Sequence, residues 1–494
     1  MGKMTDVVWT KEQQAAIAIR KTDTLVSAAA GSGKTAVLVE RVIQKITDSD
    51  HPVDVDRLLV VTFTNAAARQ MKQKIAAAIV SEIEKNPHDD RLRHQLALLG
   101  NAGINTMHAF CLELVKQHFQ KTALPYDFKI ADPAEGAMLK QDALEETLGM
   151  LYEQQGEKVG ELVEWYGGRD DQPLLELILH MYEFLRSVPF YQEWLKQVSQ
   201  VPEGSILDTA WGVYLKEYAL VRLQQCISLA KNTIERLKLL DEGYGLSGYA
   251  ETFAEDCILL QQLIKQVEEQ EWDVLTKVFD TCKFSTMKRL KKDGDAELAE
   301  EFKTTRQTIK DIVSEIGKYV FFQSEKACFA DLKKTMERIC FLSEIILLFE
   351  ECYAEKKRQR SLVDFGDLEH LSIGILSERN EMGELMPSAV AYQLQEQYEE
   401  VLIDEYQDTN DVQELIFSLT AGKQKRFMVG DIKQSIYSFR NSKPELFLEK
   451  YQEYSKTDGK ANRRLLLSKN FRSNASVLAC CNFVFSKMMC KECG

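Results

Sequence analysis

Residues 24–46 read TLVSAAAGSGKTAVLVERVIQKI. The short apolar run Thr24 to Ala28 predicts a buried strand, and the stretch from Lys34 to about Ile46 predicts a helix. Between them lies a small, glycine-bearing turn. That order lets backbone N–H groups curl around a phosphate while the helix N-terminus adds partial positive charge. Ala28, Ala29, Ala30, Gly31, Ser32, Gly33, Lys34 and Thr35 are therefore the candidate phosphate cradle. Lys34 is expected to reach the β and γ phosphates of ATP, and the Thr35 hydroxyl to ligate Mg2+. Ala28 stands where a first glycine is usual in such loops.

Working outward, Arg57 to Phe63 (RLLVVTF) reads as a second buried strand, followed by a helix through Ile83. Strand character returns at Glu400 to Asp404 (EVLID), at Arg426 to Val429 and at Leu465 to Ser468. Strands alternating with helices predict an α/β fold with a parallel sheet covered on its faces. Between about 135 and 360 helical periodicity dominates, as in Ile339, Leu342, Ile345 and Ile346. One sheet domain with a large helical insertion is expected, and a second sheet is expected to begin near 460. The basic run Lys283 to Lys292 is either a solvated helix face or a contact to a nucleic-acid backbone.

Val401-Leu402-Ile403-Asp404-Glu405 supplies the second half of a phosphoryl-transfer site. An apolar strand ending in two acids offers Asp404 to the metal and Glu405 as general base for the attacking water.

Bulk properties set limits. The 494 residues are 45% hydrophobic and 28% charged with nine prolines, which argues against disorder. A net charge of -14 is not the default of a nucleic-acid binder, so any such site is expected to be a narrow local groove. Eleven cysteines in no even framework, and no apolar leader, favour a reducing cytoplasm. No apolar run approaches the roughly 20 residues that span a membrane. Cys111, Cys480 and Cys481 read as small core residues, and the Cys490–Cys493 pair as no metal site, since two further ligands are lacking.

Asp404-Glu405-Tyr406-Gln407-Asp408-Thr409 resembles the DExQD box of the UvrD-like superfamily 1 helicases. Other blocks follow in that family's order: Trp9 to Gln13, Thr62 to Ala67 (TFTNAA), Ile104 to Phe110 (INTMHAF), Val429 to Arg440 (VGDIKQSIYSFR) and Asn470 to Ser473 (NFRS). Within the group the chain is most similar to helicase–nuclease subunits of the AddA type, through Ser27 to Arg41 and through Val363 to Glu369 (VDFGDLE). The resemblance implies RecA-like motor domains: 1–130 with 360–455, a helical insertion at 131–359, and the start of a second motor domain at 456–494. It implies an ATP-dependent DNA helicase moving 3′-to-5′ on single-stranded DNA and acting on double-stranded ends in break repair and recombination. A partner subunit of AddB type and a nuclease in the full-length protein are implied as well.

The resemblance also assigns roles. Gln13 would read adenine, Gln434 would sense the γ phosphate, and Arg472 would act as an arginine finger. Phe63, His108, Tyr437 and Phe439 would stack on DNA bases, and Thr64, Asn65 and Arg440 would reach the backbone. Core packing is the alternative for Phe63 and Phe439, and an internal ion pair for Arg440. Two other readings remain: a UvrD- or RecB-like helicase without nuclease, and a module in which ATP only switches DNA affinity.

Overall fold

The computed structural model describes residues 8–168, 170–198, 204–240, 246–288, 295–437, 439, 441–457 and 459–488. It forms two compact units, one comprising residues up to Trp194 together with Ser343–Val484, the other built on Leu195–Leu342.

In chain order the strands are β1 Asp23–Ala28, β2 Leu58–Thr62, β3 Ile104–Thr106, β4 Lys129–Ile130, β5 Leu362–Val363, β6 Ser377–Arg379, β7 Leu385–Pro387, β8 Glu400–Ile403, β9 Arg426–Gly430 and β10 Asn462–Leu467. Six of them make one sheet in the order β10-β1-β9-β8-β2-β3, with every pair parallel. Its inner strands are covered on both faces, which explains their near-continuous apolar sequence. Leu25, Leu59, Val61, Val401, Ile403 and Met428 enter one core; Val26, Leu58, Val60, Leu402, Phe427 and Val429 enter the other. Helices Met107–Gln117, Phe365–Leu376 and Asp411–Ala421 cover the first face; Lys11–Ala18, Lys34–Ile46 and Asn65–Lys85 cover the second.

Two edges of this sheet depart from expectation. The stretch near 460 does not open a second sheet. β10 lies parallel to β1 from Asn462 opposite Asp23 to Leu467 opposite Ala28. An unpaired β1 would leave a row of backbone donors and acceptors open, and β10 satisfies them. The opposite edge is β3, whose three residues are too few to show a period in sequence.

In the other unit, helices Ala210–Leu239, Ser247–Glu269, Trp272–Asp280 and Ala296–Tyr319 surround Tyr249, Phe253, Trp272 and Phe302. Arg306 and Asp256, both buried there, pair through two hydrogen bonds of 2.6 and 2.8 Å. This unit is narrower than the expected insertion of 131–359, because helices Pro133–Tyr166 and Gln172–Leu185 and the end of Glu325–Gln359 belong with the sheet. Lys283 to Lys288 is irregular rather than helical, and Lys288 pairs with Glu251; positions 289–292 lie outside the described residues.

Cys111 is buried as expected, but Cys480 and Cys481 are exposed on helix Ala475–Met488, so they are not core residues. The Cys490–Cys493 pair lies outside the described residues. No described helix is long and apolar enough to cross a membrane.

Candidate nucleotide and nucleic-acid site

The strand, the turn and the helix form where the sequence places them. β1 ends at Ala28, the chain turns through Ala29 to Gly33, and helix Lys34–Ile46 begins. Gly31 and Gly33 have φ of 72° and 85°, a region open to glycine and costly for residues with a Cβ. Gly31 is also closed in by space: a Cβ there would meet Asn470 at 2.8 Å and Arg472 Cβ at 2.9 Å. The NFRS block lies over the loop, with Asn470 Nδ2 donating to the Ala30 carbonyl at 2.8 Å and Phe471 N donating to the Gly31 carbonyl at 2.8 Å. This brings Arg472 to the phosphate loop, with its side chain exposed. Ser32 Oγ is buried without a hydrogen-bond partner, a cost an incoming ligand can relieve.

Asp404 and Glu405 follow the end of β8, next to β2 and β9. Lys34 Nζ lies 3.0 Å from Glu405 Oε2. Glu405 holds φ of 51°, a strained conformation for a residue with a side chain. Burial, and then the charge of Glu405, push Asp404 up to about 6, and the same two causes push Asp408 up to about 6. Asp408 Oδ1 also lacks a partner. Thr35, Asp404, Glu405 and Asp408 line one cavity of about 560 Å³ with Gln434 and Tyr437. A hydroxyl and carboxylates with surplus negative charge are a donor set that fits a hard divalent cation.

Gln407 was not singled out in sequence, although it sits inside the quoted DEYQD block. It is buried, and its amide donates to Glu405 Oε2 at 3.0 Å and Asp408 Oδ2 at 3.1 Å. Its carbonyl accepts from Asp431 N at 2.9 Å. Asp431 in turn accepts from Gln434 Nε2 at 2.7 Å. The two acidic blocks are thus joined through one amide. Gly430 leaves the room for it, since a Cβ there would lie 2.4 Å from Gln407 Oε1.

Gln13 is buried against the cradle. Its Oε1 accepts from Thr10 N at 2.9 Å in a capping box, and its Nε2 donates to the Ser32 carbonyl at 3.0 Å. The amide is engaged by protein here, so reading adenine requires it to exchange a partner. Behind it, buried Arg41 fastens three elements. It donates to Ala16 and Ile17 carbonyls at 2.8 and 3.1 Å, and to Glu400 at 3.0 and 2.5 Å. Lys45 adds a contact to Glu400 at 3.6 Å. The helix bearing Gln13, the helix after the cradle and the strand leading to Asp404 are held by this one guanidinium.

Four aromatics were candidates for base stacking. Phe63 and Tyr437 lie 4.6 Å apart between ring centres, and Tyr437 and Phe439 lie 5.6 Å apart. Phe439 is 74% exposed, which excludes core packing for it, and Phe63 is half-buried at the cavity wall. His108 packs against Phe365 at 4.6 Å between ring centres, and lines a cavity together with Phe63. Thr64 and Asn65 are exposed; the Thr64 hydroxyl caps helix Asn65–Lys85 by accepting from Ala67 N. Arg440 lies outside the described residues.

A parallel sheet with a phosphate cradle after its first strand and paired acids after a neighbouring strand defines a P-loop nucleotide-binding domain. The family model for the UvrD/REP helicase N-terminal domain matches residues 9–455. The chain belongs to the UvrD/REP helicase family. It is 40% identical over 493 residues to the A subunit of the ATP-dependent helicase/nuclease of Acetivibrio thermocellus, covering 97% of this chain and 39% of that protein. The protein of the same name from Ruminiclostridium cellulolyticum is 40% identical over 503 residues, and that from Desulforamulus reducens 41% identical over 498 residues. Each of those two comparisons covers 99% of this chain and 40% of the relative. The chain therefore spans about two fifths of the length of the curated relatives it matches.

Proposed function

We propose that this chain is the ATP-binding motor portion of a DNA helicase that moves 3′-to-5′ along single-stranded DNA, within a helicase–nuclease complex for double-strand-break repair and recombination. The reading rests above all on the 3.0 Å contact between Lys34 and Glu405, which pairs a phosphate-binding lysine with a candidate base. The unit that carries the six-stranded sheet, β10 included, serves as the first motor domain, and the unit built on Leu195–Leu342 as its helical insertion. The nuclease and the later motor elements belong to the remainder of a longer protein, and a second subunit of AddB type completes the complex.

The γ phosphate of ATP competes with Glu405 for Lys34. Once displaced, Glu405 is free to polarise the attacking water, held in place by Gln407. Thr35 and Asp404 would hold Mg2+, which supplies charge neutralisation to the phosphates. Gln434 exchanges Asp431 for the γ phosphate, and that exchange pulls on the segment carrying Tyr437 and Phe439. Arg472, beside the cradle, contributes charge to the transferring phosphoryl group. Gln13 exchanges a protein partner for adenine.

The test is unwinding by the full-length protein of duplexes carrying a 3′ or a 5′ single-stranded tail. Unwinding from the 3′ tail with ATP supports the reading. Unwinding from the 5′ tail alone contradicts the direction. Nucleotide-dependent DNA affinity without turnover would identify an ATP-switched binding module instead.

A further inference from the structure

Helix Ala210–Leu239 is apolar on two sides over its first turns. One side is expected: Ala219, Leu223, Cys226 and Ala230 are buried in the core of their unit. The other side faces water. Trp211, Tyr214, Tyr218 and Val221 are 53%, 66%, 42% and 52% exposed. Their spacing of three, four and three residues makes a narrow seam, the pattern by which one helix packs along another. Followed on at the same spacing, the seam turns polar, through Gln225, Ser228, Asn232 and Glu235. The same helix therefore shows what its outer face looks like where it meets only water. A helix apolar on both sides belongs in an interior.

The neighbouring helices leave the seam open and fix its flanks. Arg236 donates to Glu301 at 2.5 and 2.9 Å, and Arg222 lies 3.7 Å from Glu315. These two pairs set helix Ala296–Tyr319 antiparallel to helix Ala210–Leu239. One turn further on, Tyr319, 63% exposed, comes level with Tyr218. On the other flank Lys216 donates to the Glu268 carbonyl at 2.9 Å. Both cations beside the seam are thus engaged within the unit. Glu217 is exposed and has no hydrogen bond or ion pair among the described residues. The unclaimed charge at the seam is negative, which disfavours a phosphate backbone and suits a basic side chain flanking an apolar stripe.

We propose that this seam is the docking site for one helix of the second subunit, a helix with apolar residues at three- and four-residue spacing and a lysine or arginine opposite Glu217. Tryptophan and tyrosine are the side chains that most often carry the binding energy where proteins meet. Apolar in body and polar at one atom, they also tolerate water until a separately folded chain arrives. The inference rests on the two-subunit reading given under Proposed function.

The test uses the full-length protein with its second subunit. Benzoylphenylalanine replaces Tyr214, the complex is irradiated, and the crosslinked peptides are identified by mass spectrometry. A crosslink to one helical segment of the second subunit is expected. Tyr214→Glu is expected to weaken association of the subunits about tenfold or more, with Tyr214→Phe close to wild type and Ser228→Glu, on the polar continuation, unchanged. The melting temperature of each variant alone checks folding; where Tyr214→Glu lowers it, the crosslink decides. Crosslinks confined to the rest of the same chain or to a second copy overturn the proposal, and the two-subunit reading stands as long as the subunits copurify. Wild-type association in both Tyr214→Glu and Trp211→Glu overturns it as well. A full-length protein that copurifies with no second subunit overturns both.

Discussion

Lys34 Nζ sits 3.0 Å from Glu405 Oε2, an ion pair between the proposed phosphate-binding cation and the proposed base. The pair joins residues 371 positions apart in sequence. Lys34→Met is expected to abolish measurable ATP hydrolysis and to weaken ATP binding by at least tenfold. Both are read by steady-state kinetics and by titration with a fluorescent ATP analogue. Unchanged affinity would mean that the cradle binds through its backbone alone.

Gln407 joins the two acidic blocks through its amide. Gln407→Leu removes the donor to Glu405 and the acceptor for Asp431 N, leaving buried polar groups unpaired at about 1–3 kcal/mol each. Gln407→Glu keeps the acceptor and loses the donor. The expected result is a kcat reduced about tenfold or more in both, with a larger fall in melting temperature for leucine than for glutamate. Equal kcat in wild type and Gln407→Glu would remove the amide from the catalytic account.

The buried Arg41–Glu400 pair is a matter of stability. Arg41→Met leaves the buried Glu400 with Lys45 as its one remaining ion-pair partner among the described residues and is expected to cost about 3–5 kcal/mol, with the double variant Arg41→Met, Glu400→Leu recovering part of it. Burial pushes Glu400 up, but Arg41 and Lys45 outweigh it and hold the group below its ordinary value. A carboxylate depressed in the folded state binds fewer protons there than when unfolded. Its stabilisation is therefore full above an unfolded value of about 4.3 and lost as pH falls through the lower folded value. Urea unfolding between pH 7 and pH 3 checks this; equal pH slopes for wild type and the double variant would contradict it.

Gly31→Ala tests the closure of the NFRS block over the cradle. The positive φ and the contacts at 2.8–2.9 Å leave no room for a methyl group unless Asn470 and Arg472 move away. Hydrolysis is expected to fall by an order of magnitude, measured at saturating ATP with the melting temperature as control. Wild-type turnover would show that the close approach of Arg472 is dispensable.

Much of this was legible in sequence because local rules and tertiary fold agree. The strand at Asp23–Ala28, the glycines at 31 and 33 and helix Lys34–Ile46 each follow from residue type, spacing and turn chemistry. What escaped was whatever depends on pairing across distance. β10 reads as an apolar strand, but nothing local says that it pairs with β1 rather than with strands yet to come. Gln407 lies in full view within its motif, and only the fold brings Asp431 against its carbonyl. Cys480 and Cys481 mislead because their hydrophobicity says nothing of whether the helix that bears them is covered.

The most direct measurement is ATP hydrolysis by the full-length protein with and without single-stranded DNA, for wild type and Glu405→Gln. The account predicts hydrolysis stimulated by DNA in the wild type and reduced by about a hundredfold or more in the variant, with ATP binding retained. Hydrolysis indifferent to DNA, or a Glu405→Gln protein as active as wild type, would contradict it.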